Sequence, residues 1–159
     1  MTQRIDYMQQ SPELFKAYLA FSTAIRGSVI DATTRNLVQI RASQINGCAF
    51  CLDMHVKEAK IHGERELRLH HVAIWRESQL FTDKERAALE WTEALTQLPQ
   101  HGVSEAIYDA VRQQFSEKEL SDLSFAVVAI NGWNRISIGF QVAPGSADAA
   151  YGLDKAGLS

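Results

Sequence analysis

The sequence predicts a single domain built entirely from α-helices. Apolar residues recur at helical spacing along most of the chain, whereas the alternation typical of β-strands is scarce. Capping boxes at residues 82–85 and 116–119 and a Ser-Pro pair at residues 11–12 mark the starts of three helices. The 159 residues include 46% apolar and 22% charged side chains, an ordinary composition for one soluble globular domain.

The first half of the chain predicts three helices. The first covers residues 12–26, and the second runs from about residue 33 to residue 45. The Asn-Gly pair at residues 46–47 then breaks the helical pattern. A third helix is therefore expected to begin at about Cys48 and to end at residue 62.

The second half predicts four further helices and a loop. A short helix covers residues 64–71, and a packed, irregular segment covers residues 73–81. The remaining three helices are 83–98, 105–115 and 117–140, and the last of these is apolar on several sides and is expected to be central in the core. We therefore expect one domain over residues 1–143. Residues 144–159, rich in Gly and Ala, are expected to form a C-terminal tail that is mobile or docks on a partner subunit.

Charge and apolar run length exclude several classes of function. The net charge is −3 without a basic cluster, which argues against binding to nucleic acid or to an anionic membrane. The first ten residues lack the apolar core of a signal peptide, and the longest apolar run, residues 125–130, is far below the ~20 residues that span a bilayer. We expect a cytoplasmic protein, in which a close cysteine pair is more often catalytic or metal-binding than structural.

The chain has two cysteines, Cys48 and Cys51, and both share a helix face with His55. At about 100° per residue, the three side chains fall within about 60° of one another. One turn separates the cysteines, so a disulfide can close with modest rearrangement, and a further turn brings the imidazole within reach of Cys51. Cys48 lies at the predicted helix start, where free N–H groups and the helix dipole favour a thiolate. The spacing predicts a thiol–disulfide redox site.

Two other interpretations of these residues stay open. The cysteines could be buried side chains without chemistry, or they could bind a structural zinc ion. A closed zinc site needs four ligands, however, and only three lie close together in the sequence. A thioredoxin fold would place the pair after a β-strand, which the helical surroundings do not favour.

Two short segments of the chain resemble each other, and we call this internal similarity the Asn-Gly echo. Residues 45–48 (Ile-Asn-Gly-Cys) and 130–133 (Ile-Asn-Gly-Trp) agree in three of four positions, each late in a predicted helix. Duplication of a helical hairpin would explain the echo, although capping chemistry alone would produce half of it.

Residues 37–55 read LVQIRASQINGCAFCLDMH and combine Cys-x-x-Cys-x-x-x-His with an upstream Asn-Gly. This combination closely resembles the core motif of the AhpD-like alkyl hydroperoxidases of the carboxymuconolactone decarboxylase superfamily, and it is far more specific than Cys-x-x-Cys alone. The resemblance continues through residues 73–78, 85–89 and 130–135, so that it covers residues 10–144.

The resemblance implies an all-α, AhpD-like helical domain with the Cys-x-x-Cys at the N-terminus of a core helix, assembled into homotrimers or homohexamers. It maps the peroxidatic cysteine onto Cys51, the resolving cysteine onto Cys48 and the motif histidine onto His55. A small hydroperoxide would oxidise Cys51 to a sulfenic acid, and Cys48 would condense with it to a disulfide. A lipoyl- or thioredoxin-type dithiol would then reduce the disulfide. No cofactor or metal is implied.

One position departs from the family pattern. The proton relay of the family usually includes a glutamate twelve residues before the first cysteine, and this chain has Asn36 there. An asparagine cannot accept a proton near neutral pH, so Glu58, three residues after His55, is a candidate local substitute in the relay. The sequence predicts a thiol-dependent peroxidase. The alternatives are a dithiol–disulfide exchanger or redox sensor that does not turn over peroxide, and a structural zinc-binding oligomer.

Overall fold

The computed structural model describes residues 2–158 and confirms an all-α fold, with no β-strand in that part of the chain. The helices are α1 Tyr7–Gln10, α2 Pro12–Arg26, α3 Ala32–Asn46, α4 Ala49–Ile61, α5 Glu66–His71, α6 Asp83–Gln97, α7 Glu105–Arg112, α8 Glu117–Phe140 and α9 Asp148–Tyr151. Single 3-10 turns cover Val72–Ile74 and Leu153–Ala156. Between residues 2 and 158, no helix combines the length and the apolar character that crossing a membrane requires.

Local capping chemistry sets the starts of the longer helices. Both predicted capping boxes form, at the first turns of α6 and α8. Pro12 occupies the first position of α2, as expected from its fixed φ and missing N–H. α3 begins one residue earlier than predicted, because Asp31 caps it by accepting the N–H of Thr34 at 2.9 Å.

α3 is the centre of the fold, since α4, α6 and α8 all pack against it. Its side chains Leu37, Val38 and Ile40 are 1%, 0% and 0% exposed. One apolar cluster joins α3 to α6, α7 and α8, and a second joins it to α4, α5 and the segment before α6. Burial on both sides fixes α3 firmly, so the residues at its C-terminal end have a rigid support.

α8 belongs to the core on one side only. Leu123, Val127 and Ile130 are buried, as the apolar pattern predicts. α8 packs on α2, α3, α4, α6 and α7, in keeping with a helix central in the core, but Phe125 and Val128 point outward and are 53% and 55% exposed. One turn of α8 therefore exposes two large apolar side chains.

The segment between α5 and α6 packs without long regular structure, as predicted. Arg86 of α6 donates hydrogen bonds to the backbone oxygens of Trp75, Arg76 and Ser78 at 3.0, 2.7 and 2.8 Å. The indole N–H of Trp75 donates to the buried carboxylate of Glu93 at 2.8 Å. These bonds satisfy the polar groups of an otherwise irregular segment and hold it against α6.

The C-terminal segment, predicted as a tail, lies on α4 of the same chain. Leu153 and Ala156 are buried, and their 3-10 turn packs on α4. The buried ammonium of Lys57 in α4 donates to Asp148 at 2.6 Å and to Asp53 at 2.9 Å. Hydrogen bonds to Asp148 and Asp53 raise the pKa of Lys57, so the lysine stays charged and ties the segment to the helix.

Candidate redox site

The two cysteines lie at the turn that joins α3 to α4. α3 ends at Asn46, and Gly47 takes the left-handed conformation, with φ of 69°, for which glycine is suited. The N–H groups of Gly47 and Cys48 donate to the backbone oxygens of Gln44 and Ser43 at 3.3 and 3.0 Å. This turn leaves Cys48 as the N-cap of α4, so the prediction of a Cys-x-x-Cys at a helix start is confirmed.

Cys48 and Cys51 form a disulfide across the first turn of α4. Their Cα atoms are 5.4 Å apart, within the usual range for a disulfide. The Sγ atom of Cys48 also accepts the backbone N–H of Cys51 at 3.3 Å. Both residues are 2% exposed and pack with Ala42 and Ile130. In the reduced state, the free N–H groups and the dipole of this first turn favour a thiolate.

His55 lies one turn after Cys51 on α4 and is 8% exposed. Its Nδ1 atom is 3.2 Å from the Oε2 atom of Glu58. The Oε1 atom of Glu58 accepts a hydrogen bond from the guanidinium of Arg26, the last residue of α2, at 3.2 Å. Cys51, His55 and Glu58 thus follow one another along α4, and Arg26 of α2 contacts the last of them, Glu58.

Glu58 stays ionised in this environment. Burial raises the pKa of its carboxyl group, but the hydrogen bond from His55 and the charges of His55, Arg26 and His62 outweigh burial, so the pKa lies below its ordinary value. An ionised carboxylate accepts the Nδ1–H of His55, which leaves the lone pair of the neutral ring on Nε2. This is the tautomer that a histidine needs to act as a base toward a neighbouring nucleophile.

Asn36 lies at the opposite end of α4 from the cysteines. Its Nδ2 atom is 3.3 Å from Nδ1 of His62, the residue that follows α4, and its Oδ1 atom is buried without a hydrogen-bond partner. Asn36 lines a polar pocket of 380 Å³ at the starts of α3 and α6 and the end of α4. His55 therefore bonds to Glu58, whereas Asn36 bonds to His62.

Some contacts around the site join residues that are far apart in the sequence, and the sequence does not predict them. Arg26 is 32 residues from Glu58, and no local motif links the two. Asn134 of α8 bonds to Asn46 beside the cysteines, across 88 residues. The Asn-Gly echo singles out Asn131, which also bonds to Asn46 at 3.0 Å, and Asn134 interrupts an otherwise apolar helix, but neither signal indicates Asn46 as the partner.

The arrangement does not favour the zinc alternative. No group of three side chains able to hold a metal ion occurs within residues 2–158. Of the three local candidates for zinc ligands, Cys48 and Cys51 are joined to each other, and His55 is bonded to Glu58. The described residues thus hold a bonded cysteine pair, followed one turn later by a histidine–carboxylate pair.

The sequence is similar to a known protein family and to a bacterial relative. A sequence model of the carboxymuconolactone decarboxylase family matches residues 12–94, more than half of the chain. YdfG of Bacillus subtilis (strain 168), an uncharacterized protein, is 41% identical over 138 residues, which cover 87% of this chain and 94% of YdfG.

Solved structures share the fold. ATU0492 of Agrobacterium tumefaciens, described as a protein of unknown function and a candidate antioxidant defence protein AhpD, is 40% identical with a TM-score of 0.87, and the match covers 90% of this chain and 98% of ATU0492. The debrominase Bmp8 in its apo form is 19% identical with a TM-score of 0.79, over 94% of this chain and 80% of Bmp8, and so shares the fold alone. The chain belongs to the carboxymuconolactone decarboxylase family, and its fold is AhpD-like.

Proposed function

We propose that this protein is a thiol-dependent peroxidase that reduces organic hydroperoxides or hydrogen peroxide through a dithiol–disulfide cycle of Cys48 and Cys51. The observation that supports this most is a redox pair at a helix N-terminus, followed one turn later by a buried histidine–carboxylate pair. Both cysteines lie in the first turn of α4, where the helix dipole favours a thiolate, and a base one turn after Cys51 would activate that cysteine as the nucleophile.

Cys51 is the attacking cysteine in this proposal, and Cys48 is the resolving one. The Cys51 thiol passes its proton to Nε2 of His55, and the thiolate attacks the terminal oxygen of the hydroperoxide. The O–O bond breaks, and the leaving alkoxide takes the proton from His55 as an alcohol. The Cys48 thiol then attacks the Cys51 sulfenic acid, which forms the disulfide and releases water. Two thiols are oxidised for each peroxide reduced, and an external dithiol restores them by exchange.

Glu58 supplies the carboxylate that the family pattern places at residue 36. Its ionised side chain orients His55 through Nδ1 and stabilises the imidazolium that forms during thiolate attack. Arg26 restrains the carboxylate from the end of α2. Asn36, whose amide contacts His62, lies outside this relay.

The burial of the cysteines favours small reactants. With both residues 2% exposed, a hydroperoxide needs less movement of the surrounding side chains to reach Cys51 than a protein substrate does. For the reducing half of the cycle, a lipoyl-type dithiol on a slender arm fits a covered disulfide better than the broad surface of a thioredoxin-type protein. The reducing cytoplasm would keep such a dithiol available.

The exposed apolar surface supports assembly into a homotrimer or homohexamer. Leu14 of α2 is 74% exposed, and Phe125 and Val128 of α8 are 53% and 55% exposed. These side chains belong to two helices that pack against each other, and exposed apolar side chains grouped on one surface often mark contact with another protein. A second copy of the chain is the partner that the family pattern favours.

Rates of thiol loss distinguish a peroxidase from a dithiol–disulfide exchanger. The reduced protein is mixed with cumene hydroperoxide, with hydrogen peroxide or with hydroxyethyl disulfide at equal concentrations, and glutathione serves as the control thiol. We expect at least one hydroperoxide to oxidise the protein about tenfold faster than the disulfide does, and much faster than it oxidises glutathione at the same pH. Faster oxidation by the disulfide, with peroxide rates equal to those of glutathione, would contradict the peroxidase and support the exchanger.

A further inference from the structure

Three asparagines join the end of α3 to the middle of α8 directly before the redox pair. Asn46 is the last residue of α3 and precedes Cys48 by two positions. Asn131 and Asn134 lie one turn apart on the side of α8 that faces it. Asn134 is 0% exposed, so its amide group depends entirely on protein partners.

The hydrogen bonds among these side chains form one connected network. The Nδ2 atom of Asn46 donates to Oδ1 of Asn131 at 3.0 Å and to Oδ1 of Asn134 at 2.8 Å. The Nδ2 atom of Asn134 donates to the hydroxyl of Ser43 at 3.1 Å. The Nδ2 atom of Asn131 donates to the hydroxyl of Thr96 on α6 at 3.0 Å and to the backbone oxygen of α8 one turn before it, also at 3.0 Å. The amide N–H groups of all three asparagines therefore have acceptors, a condition under which a buried polar network rigidifies its surroundings.

The network holds both ends of the turn that carries Cys48. Ser43, at one end, receives the bond from Asn134, and its backbone oxygen accepts the N–H of Cys48 at 3.0 Å. Asn46, near the other end, is bonded to two residues of α8. Gly47 between them is the most freely rotating residue type, so the network adds restraint to a turn that is otherwise held by the backbone bonds from Gly47 and Cys48.

Restraint of this turn bears on the chemistry because a disulfide closes only over a narrow range of Cα and Cβ positions. A Cys48 that is already held near Cys51 loses little conformational entropy on closure. A Cys48 on a loose turn loses more, so its disulfide is less favoured relative to the dithiol.

We infer that Asn46, Asn131 and Asn134 are positioning residues for the Cys48–Cys51 couple, and that they set its dithiol–disulfide equilibrium by fixing the turn before Cys48. This deepens the proposed function, and it rests only on the redox part of that proposal and not on reaction with peroxide. None of the three asparagines exchanges electrons or protons with the cysteines; they act through the backbone of residues 43–48.

The experiment compares Asn46→Ala with Thr96→Val. Asn46→Ala removes both bonds to α8, whereas Thr96→Val removes one bond of the same network and leaves those of Asn46 in place. Each protein is equilibrated in glutathione redox buffers without peroxide, and thiols are counted by alkylation and mass spectrometry. We expect the equilibrium constant for disulfide formation to fall about tenfold in Asn46→Ala and to stay within about twofold of wild type in Thr96→Val.

The midpoint temperature of thermal unfolding is measured for the same variants. It distinguishes an effect on the position of Cys48 from a general loss of stability. Equal equilibrium constants in Asn46→Ala and wild type would overturn the inference, as would an equal fall in both variants. Should Asn46→Ala not fold, Ser43→Ala, which removes only the acceptor of Asn134, is measured in the same buffers, with a smaller fall expected and no fall contradicting the inference. A failure of peroxide turnover would leave these results unaffected, because the glutathione equilibrium tests the couple directly.

Discussion

We expect that replacing Cys51 by serine abolishes peroxide turnover, whereas replacing Cys48 by serine leaves a protein that reacts with peroxide once and stops. Without Cys51 there is no thiolate beside His55 to attack the O–O bond, and a serine hydroxyl does not replace it. Without Cys48 the attack proceeds, but no second thiol lies within reach on this helix to expel water from the sulfenic acid. The two single variants therefore differ in kind and not only in degree.

Trapping of the sulfenic acid with dimedone, followed by mass spectrometry, measures this difference. The adduct is expected on Cys51 in Cys48→Ser, at one per chain, and to be nearly absent in wild type because the disulfide forms first. Cys51→Ser should give no adduct and the peroxide consumption of buffer alone. If both single variants turned over peroxide as fast as wild type, or if the adduct formed on Cys48, the assigned roles would be wrong.

Replacing Glu58 by glutamine is expected to lower the rate of peroxide reduction by about 10²-fold, since a neutral amide can present its N–H to Nδ1, which favours the wrong tautomer of His55, and does not stabilise the imidazolium. Glu66→Gln is the matched control, because Glu66 is a solvent-exposed carboxylate that pairs with Lys60 of α4 at 2.6 Å and does not touch His55. Single-turnover loss of thiols measures the rate. A Glu58→Gln rate within twofold of the control would contradict the role of this carboxylate.

The same assignment predicts the outcome at residue 36. Since Asn36 contacts His62 and Glu58 already bonds His55, Asn36→Glu is not expected to raise the rate. A gain of about tenfold or more would show that the family position matters here after all.

The acid limit of the reaction follows from the charge of Glu58. Its pKa lies below the ordinary value because the hydrogen bond and charge of His55 and the charge of Arg26 outweigh burial. The stabilisation from this pairing is therefore fully present above the ordinary glutamate pKa, and it is lost as the pH falls through the lower folded value. Protonation of Glu58 should therefore not limit the rate of peroxide reduction above about pH 4.5.

Much of the fold follows from local chemistry, and so the sequence predicts it. The capping boxes of α6 and α8 and the proline of α2 act within one turn, which is why their helix starts agree with the structure. The placement of the C-terminal segment on α4 depends on Lys57 and Asp148, which are 91 residues apart. α1 is a single turn of four residues, too short for a periodic pattern to indicate.

The candidate site likewise combines residues that local spacing brings together with residues that only the tertiary packing brings close. Cys48, Cys51, His55 and Glu58 lie on one helix, so their spacing alone brings them together. Arg26 reaches Glu58 from another helix, and no sequence pattern places it there. The family glutamate drew attention to Asn36, but only the packing of α3 against α4 could show that this side chain meets His62 and not His55.

The mass of the intact chain after one equivalent of hydroperoxide shows whether Cys48 and Cys51 are oxidised together. The fully reduced protein is mixed with cumene hydroperoxide, quenched with an alkylating reagent and weighed. We expect a chain lighter by two hydrogen atoms, with no alkylated thiol and one cumyl alcohol formed per chain. Two alkylated cysteines and unconsumed hydroperoxide after prolonged mixing would contradict it.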